Sequence, residues 1–227
     1  RRAELNLYKD SPGLFLYDEN GELRAGLSVL ETGPLLVLFD EKGVDRAGLR
    51  VDKDGPGLMM LDENGKTRAE LLVHKEGQGM ALLDENGIDR AALLIHEDTP
   101  GLLLVDKNDK ASVGLTVTKD GHGLQLLDEN GKLRAALLVK ENEPVLSFLD
   151  ENSKARAGLA VTKKDGTVLS LRDENSTLRA GLIVLKSNTD LMLFDENGMP
   201  RGGMSVLKDG PVLSLIDENA KKIWSAP

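Results

Sequence analysis

The feature that most constrains this chain is an Asp-Glu-Asn-type turn that returns at a fixed interval. Its Asp stands at Asp18, Asp40, Asp62, Asp84, Asp106, Asp128, Asp150, Asp173, Asp195 and Asp217. Every step is 22 residues except the one from Asp150 to Asp173, which is 23. Self-similarity at such a period marks a repeat architecture, in which each unit buries its apolar face only by joining its neighbours. Six residues after the Asp comes an Arg in eight repeats: Arg24, Arg46, Arg68, Arg90, Arg134, Arg156, Arg179 and Arg201. Ser112 and Ile223 take that place in the other two, and Arg2-Ala3-Glu4-Leu5 matches the second half of a repeat. The array runs through residues 1–227 without a linker and is expected to be a single domain of ten tandem hairpins.

Within a repeat, Ala25, Leu27 and Val29 alternate with Arg24, Gly26 and Ser28. That period of two is the signature of a half-buried strand. A turn signal interrupts the chain about every ten residues, so no helical stripe survives. Asn20-Gly21, Asn64-Gly65, Asn86-Gly87, Asn130-Gly131 and Asn197-Gly198 suit a two-residue type I′ turn, in which both residues take positive φ. Asp54-Gly55, Asp120-Gly121, Asp165-Gly166 and Asp209-Gly210 suit the intervening turns for the same reason. Two-residue loops place Leu16 opposite Ala25, Leu14 opposite Leu27, Val51 opposite Leu58 and Leu49 opposite Met60, all on one aliphatic face. On the other face Tyr17, Phe39 and Phe194 are expected to lie opposite Arg24, Arg46 and Arg201. The extra residue of the long step falls near Lys163-Lys164-Asp165-Gly166, in a turn.

The predicted fold is all-β, an antiparallel meander closed into a shallow or flattened ring or barrel, with a hairpin solenoid as the alternative. About twenty strands at roughly 4.8 Å each close to a circumference of roughly 95 Å, too wide for a round barrel to fill. The aliphatic face is expected to be the core, so Leu137→Asp is expected to collapse the middle of the array. One equivalent position on the other face holds Phe15, Val37, Met59, Ala81, Leu103, Gln125, Ser147, Ser170, Met192 and Ser214. Its drift toward polar residues predicts solvent rather than a second core there, at least in the C-terminal half.

Composition narrows the function. The net charge of −9 argues against nucleic acid, whose phosphates demand clustered Lys and Arg. No run of about 18 apolar residues offers a transmembrane helix. Membrane association is therefore left to an anchor upstream of Arg1, where the chain starts inside a repeat. With no cysteine there is no thiolate metal site. The Asp-Glu-Asn-Gly loops share part of an EF-hand pattern but lack its closing bidentate Glu; they are expected to hydrogen-bond the turn backbone. The Arg ladder is expected to pair with nearby Asp or Glu. His74 and His96 fall one repeat apart, two strand spacings or roughly 9.6 Å, and are expected to be exposed strand-end residues. No nucleophile elbow, phosphate loop or unique carboxylate pair stands out. No catalytic, metal or cofactor residues are therefore assigned, and the binding residues are left open.

Leu16-Tyr17-Asp18-Glu19-Asn20-Gly21 followed by Leu23-Arg24-Ala25-Gly26-Leu27 resembles the tandem β-hairpin repeats of bacterial proteins of unknown function. It also resembles the β-flower class, a shallow ring of hairpin petals with an apolar inside, and Ile223-Trp224-Ser225-Ala226-Pro227 fits the end of such an array. A second likeness, through Tyr17-Asp18, is to the YD repeats of bacterial toxin-encapsulating shells. The resemblance implies a non-enzymatic structural or interaction module, in the cell envelope or outside the cell rather than in the cytoplasm, with a protein or lipid partner. The alternative it implies is a binding protein that holds a lipid or other apolar ligand in the ring interior.

Overall fold

The computed structural model describes residues 2–7, 11–75 and 77–226. Arg1 and Pro227 lie outside the described residues. All regular structure among these is β-strand. The chain divides into two compact units, Arg1–Ala111 and Ser112–Pro227. The first holds β1 (Ala3–Asn6), β2 (Gly13–Tyr17), β3 (Leu23–Leu30), β4 (Gly33–Phe39), β5 (Asp45–Asp52), β6 (Gly55–Leu61), β7 (Thr67–His74), β8 (Gly77–Leu83), β9 (Asp89–His96) and β10 (Thr99–Val105). The second holds β11 (Ala111–Thr118), β12 (Gly121–Leu127), β13 (Leu133–Lys140), β14 (Glu143–Leu149), β15 (Ala155–Thr162), β16 (Gly166–Arg172), β17 (Leu178–Val184), β18 (Thr189–Phe194), β19 (Pro200–Leu207), β20 (Gly210–Ile216) and β21 (Lys222–Ala226).

Each unit is an antiparallel meander in which strands pair with their sequence neighbours. Among the described residues β1 pairs with β2 alone and β21 with β20 alone. Neither unit closes on itself, so the sheet is open, as the solenoid alternative requires.

The Asp-Glu-Asn turns reach the expected register by a different route. Asn20 does not take positive φ and Gly21 does, at 88°. The Gly21 amide donates to the Asp18 carbonyl at 3.2 Å, and the Asp18 amide to the Glu22 carbonyl at 2.9 Å. This is a three-residue loop, a type I turn closed by a left-handed residue, rather than type I′. A loop one residue longer would throw the next strand out of phase. A bulge corrects it: Leu16 lies opposite Ala25 but Tyr17 opposite Leu23, so Arg24 is the extra residue. The same shift leaves Arg46, Arg134, Arg179 and Arg201 unpaired in their repeats. Tyr17, Phe39 and Phe194 therefore face Leu23, Asp45 and Pro200, not the arginines.

The Lys-Asp-Gly turns also differ by two residues. Asp52 pairs with Gly55 around Lys53-Asp54, so Val51 faces Pro56 and Leu49 faces Leu58. A shift of two keeps the same face outward, which is why the alternation survives it. The inserted residue does fall in a turn, where Thr162 pairs with Gly166 across Lys163-Lys164-Asp165.

The larger correction concerns which face is covered. The expected core face is the exposed one, with Leu27 49% and Leu137 47% accessible. The buried hydrophobic side chains, Ala81 at 7% and Ala136 at 4%, lie on the face expected to meet solvent. Small residues on that face explain the reversal. Gly26 pairs with Phe15 and Val37, and Gly48 with Val37 and Met59. A Cβ added at Gly26 would meet the Phe15 ring at 3.2 Å, and one at Gly48 the Met59 methyl at 3.7 Å. Phe15 and Met59 thus lie over the glycines beside them, and the face that carries them is the more covered one.

Candidate functional site

Three features carry polar or apolar groups in an organised way: the turn network, the leucine face and a groove on the opposite face.

In the turn network one oxygen of each Asp holds the loop that follows it, and the other faces an Arg in most repeats. Asp18 Oδ1 accepts from the amides of Asn20 at 2.9 Å and Glu22 at 3.0 Å, while Oδ2 takes the Arg24 guanidinium. The pattern repeats at Asp40, Asp62, Asp84, Asp106, Asp128, Asp150, Asp195 and Asp217, with their own following amides. The Glu22 amide, with Arg24 adding to it, holds the Asp18 carboxyl below its ordinary range; the Val44 amide does the same for Asp40. Because hydrogen bonds to the charged form favour it, these carboxylates are fixed as structural anions. The bulge aims seven of the eight arginines at their own Asp, as in Arg46–Asp40 at 3.2 Å and Arg179–Asp173 at 3.3 Å; Arg134 is the exception, and its Nη1 is buried without a hydrogen-bond partner among the described residues. The same guanidiniums reach the next repeat: Arg46 Nε donates to the Leu61 carbonyl at 3.1 Å and Arg179 Nε to the Phe194 carbonyl at 3.2 Å. Lys66 and Lys132 do likewise to the carbonyls of Glu85 and Glu151. The ladder is thus a chain of ties between successive hairpins. Among the described residues no three His, Asp or Glu side chains converge as a metal-ligand set.

The leucine face is a ladder of directly opposed side chains. In the first unit Leu5, Leu14, Leu27, Leu36, Leu49, Leu58, Leu71, Met80, Leu93 and Leu102 pair in succession. In the second, Leu115, Leu124, Leu137, Leu146, Leu159, Leu169, Leu182, Leu191, Met204 and Leu213 do the same. Rows of Ala, Leu and Val flank the ladder, as Ala47 and Val51 flank Leu49. Opposed leucines cover one another in part, which is the cross-strand stabilisation available to a single layer.

On the opposite face of the first unit, a groove of about 310 Å³ runs along β8. Its floor is Gly77, Gly79 and Ala81; its walls are Glu70, Leu72 and His74 on β7 and Ala92, Leu94 and His96 on β9, with Asp89 at the start of β9 also lining it. The equivalent glycines Gly13, Gly57 and Gly123 are capped by side chains. A Cβ at Gly57 would lie 2.9 Å from Leu72 Cδ2, and one at Gly123 would strike Leu138 Cδ2. At Gly79 the nearest atoms are the Leu93 carbonyl oxygen and the Leu94 Cα and Cβ, so no side-chain tip covers the floor. His74 and His96 both pair with Gly77 and are exposed, two strands apart as their spacing predicts.

Sequence reasoning passed over Glu70. Eleven residues stand at its position in the half-repeats; nine are Gly, Ala or Ser, and two, Glu4 and Glu70, are Glu. Glu4 accepts from the Tyr17 hydroxyl at 3.1 Å. Glu70 is half-buried between Met59 and Ala81 and takes no hydrogen bond or ion pair among the described residues. Aligning the repeats position by position, rather than by their shared turn, exposes it.

No family model matches the chain, and no curated protein matches it. Among solved structures it is similar to TcdB2-TccC3-Cdc42, at 11% identity and a TM-score of 0.22, covering 93% of this chain and 13% of that one. It is similar to TcdB2-TccC3 at 12% identity and a TM-score of 0.23, covering 95% and 13%. A porin-like protein from Bacteroides uniformis is 9% identical with a TM-score of 0.16, covering 99% of this chain and 91% of that one. The chain therefore spans about an eighth of the length of the first two.

Proposed function

We propose that this chain is a non-enzymatic structural or interaction module of the bacterial cell envelope, and that its leucine face docks a protein with an apolar face of its own. The observation that supports this is the exposed, uncharged leucine ladder of each unit. Ten strands at roughly 4.8 Å and three alternate residues per strand give a patch of about 43 Å by 14 Å. That is roughly 600 Å², at the upper end of what a soluble monomer exposes in one patch and typical of an interaction surface. The face presents no side-chain hydrogen-bonding group in its central row, so the partner must be self-satisfied, as the face of another sheet is. A band about 14 Å wide falls short of the roughly 25 Å that membrane barrels present to lipid. The envelope assignment rests on the resemblance to bacterial hairpin arrays.

The alternative, a carrier of a lipid or other apolar molecule, draws on the same uncovered face. Native mass spectrometry of the gently purified chain, before and after organic extraction, separates the two. A clean apo mass supports the docking module, and a stoichiometric extractable molecule favours the carrier. Leu137→Asp tests the surface itself. Because Leu137 is 47% exposed, the variant is expected to keep its far-UV circular dichroism and to lose binding of an apolar dye along the second unit. Collapse of the variant would return the face to the role of a core and overturn the proposal.

A further inference from the structure

We propose that the groove over β8 binds a small amphiphilic cation, an alkyl- or arylammonium ion, with its charge on Glu70 and its apolar body between Leu72 and Leu94. The groove lies on the face opposite the leucine ladder, so this inference stands or falls apart from the docking module.

The shape comes from the repeat. The walls belong to strands two spacings apart, roughly 9.6 Å between backbones, and along the groove the strand between them presents Gly77, Gly79 and Ala81 on this face. With no leucine tip over Gly79, a slot remains that is one hydrocarbon chain or one ring wide. Its volume of about 310 Å³ sits at the small end of ligand pockets, about 300–1,000 Å³.

The charge selects the occupant. Glu70 stands where nine of its ten counterparts carry no charge, and its carboxylate has no partner among the described residues. The arginine two residues away, Arg68, is drawn toward Asp62, at 3.9 Å. A neutral ligand would strip water from the carboxylate and return nothing, and an anion would be repelled. A cation gains a charge-assisted hydrogen bond. A fully hydrophilic cation would leave the walls of Leu72 and Leu94 uncovered, so the ligand needs an apolar body as well.

The test is a ¹⁵N-HSQC titration of the full chain at low salt with hexylamine, hexanol and hexanoate. Shifts are expected at the amides of Gly77, Gly79, Ala81 and Leu94. Hexylamine is expected to bind about tenfold or more tightly than hexanol, and hexanoate not at all. Glu70→Ala should remove the preference for the amine, Asp89→Asn should leave it, and Gly79→Val should abolish binding of both amine and alcohol. Both variants install residues that other repeats carry, as at Ala92 and Val145, and circular dichroism checks their fold. Should Glu70→Ala alter the fold, Glu70→Gln asks the same question. Equal binding of hexanol and hexylamine, a preference that survives loss of the carboxylate, or shifts spread along the acidic turns would each overturn the proposal.

Discussion

Glycine shows how differently one residue type is used within a single repeat. Gly21, Gly43 and Gly87 take positive φ in open space, and Asp109, Ser153, Ser176 and Ala220 hold the same conformation in other repeats. Gly55 has a φ of 130°, and a Cβ there would strike the Val73 carbonyl oxygen of the next strand. Gly21→Asn is therefore expected to cost under about 1 kcal/mol. Gly55→Ala is expected to cost about 2 kcal/mol or more, since strain and collision add. Urea midpoints compare them; equal losses would mean the close approach is absorbed by small backbone shifts. That both turns need glycine was legible in Asn-Gly and Asp-Gly. The second demand on Gly55 was not, because it comes from a strand 18 residues away. Glu70 was legible in principle, as a charge at a place otherwise kept for Gly, Ala or Ser. Its open groove was not, because openness depends on where Leu94 ends.

At the scale of the hairpin, loop length and bulge form a coupled pair. The three-residue loop and the bulge at Arg179 each shift the register by one, and together they return Leu182 to the leucine face opposite Leu169. Arg179→Met keeps the bulge but loses the ties to Asp173 and to the Phe194 carbonyl. It is expected to lower the melting temperature by a few degrees. Deleting Arg179 removes the bulge itself and turns the rest of β17 over. That change is expected to unfold the second unit, as seen by loss of its amide protection in hydrogen exchange. If deletion and substitution behave alike, the bulge is not what sets the register. The expected pairing of Leu16 with Ala25 was right although the expected type I′ turn was not, since both solutions give one parity and the hydrophobic pattern reports only parity.

Across the whole chain, stability is tied to the carboxylates of the repeated turns. Backbone amides, with arginine beside them, hold Asp18, Asp40, Asp62, Asp84, Asp106, Asp128, Asp150 and Asp195 below the ordinary carboxylate value. A carboxyl depressed in the folded state contributes stability that is present above the unfolded value and is lost as pH falls toward the folded one. Urea midpoints should thus be level from pH 8 to 5 and fall steeply below about pH 4. The net charge of −9 acts the other way, because protonation relieves repulsion in that range. A rise in stability on acidification would mean that repulsion outweighs the turn network. By itself the sequence determined the strands, their order, the period and the two-sided alternation, because these follow from local turn chemistry and the pleat. Which side is covered was decided only in the folded sheet. Alternation states that the faces differ, but which one is covered depends on small residues such as Gly26 and Gly48, which admit Phe15 and Met59 over them. The larger aliphatic side chains were left exposed on the opposite face, because among the described residues no element of either unit folds back to cover them.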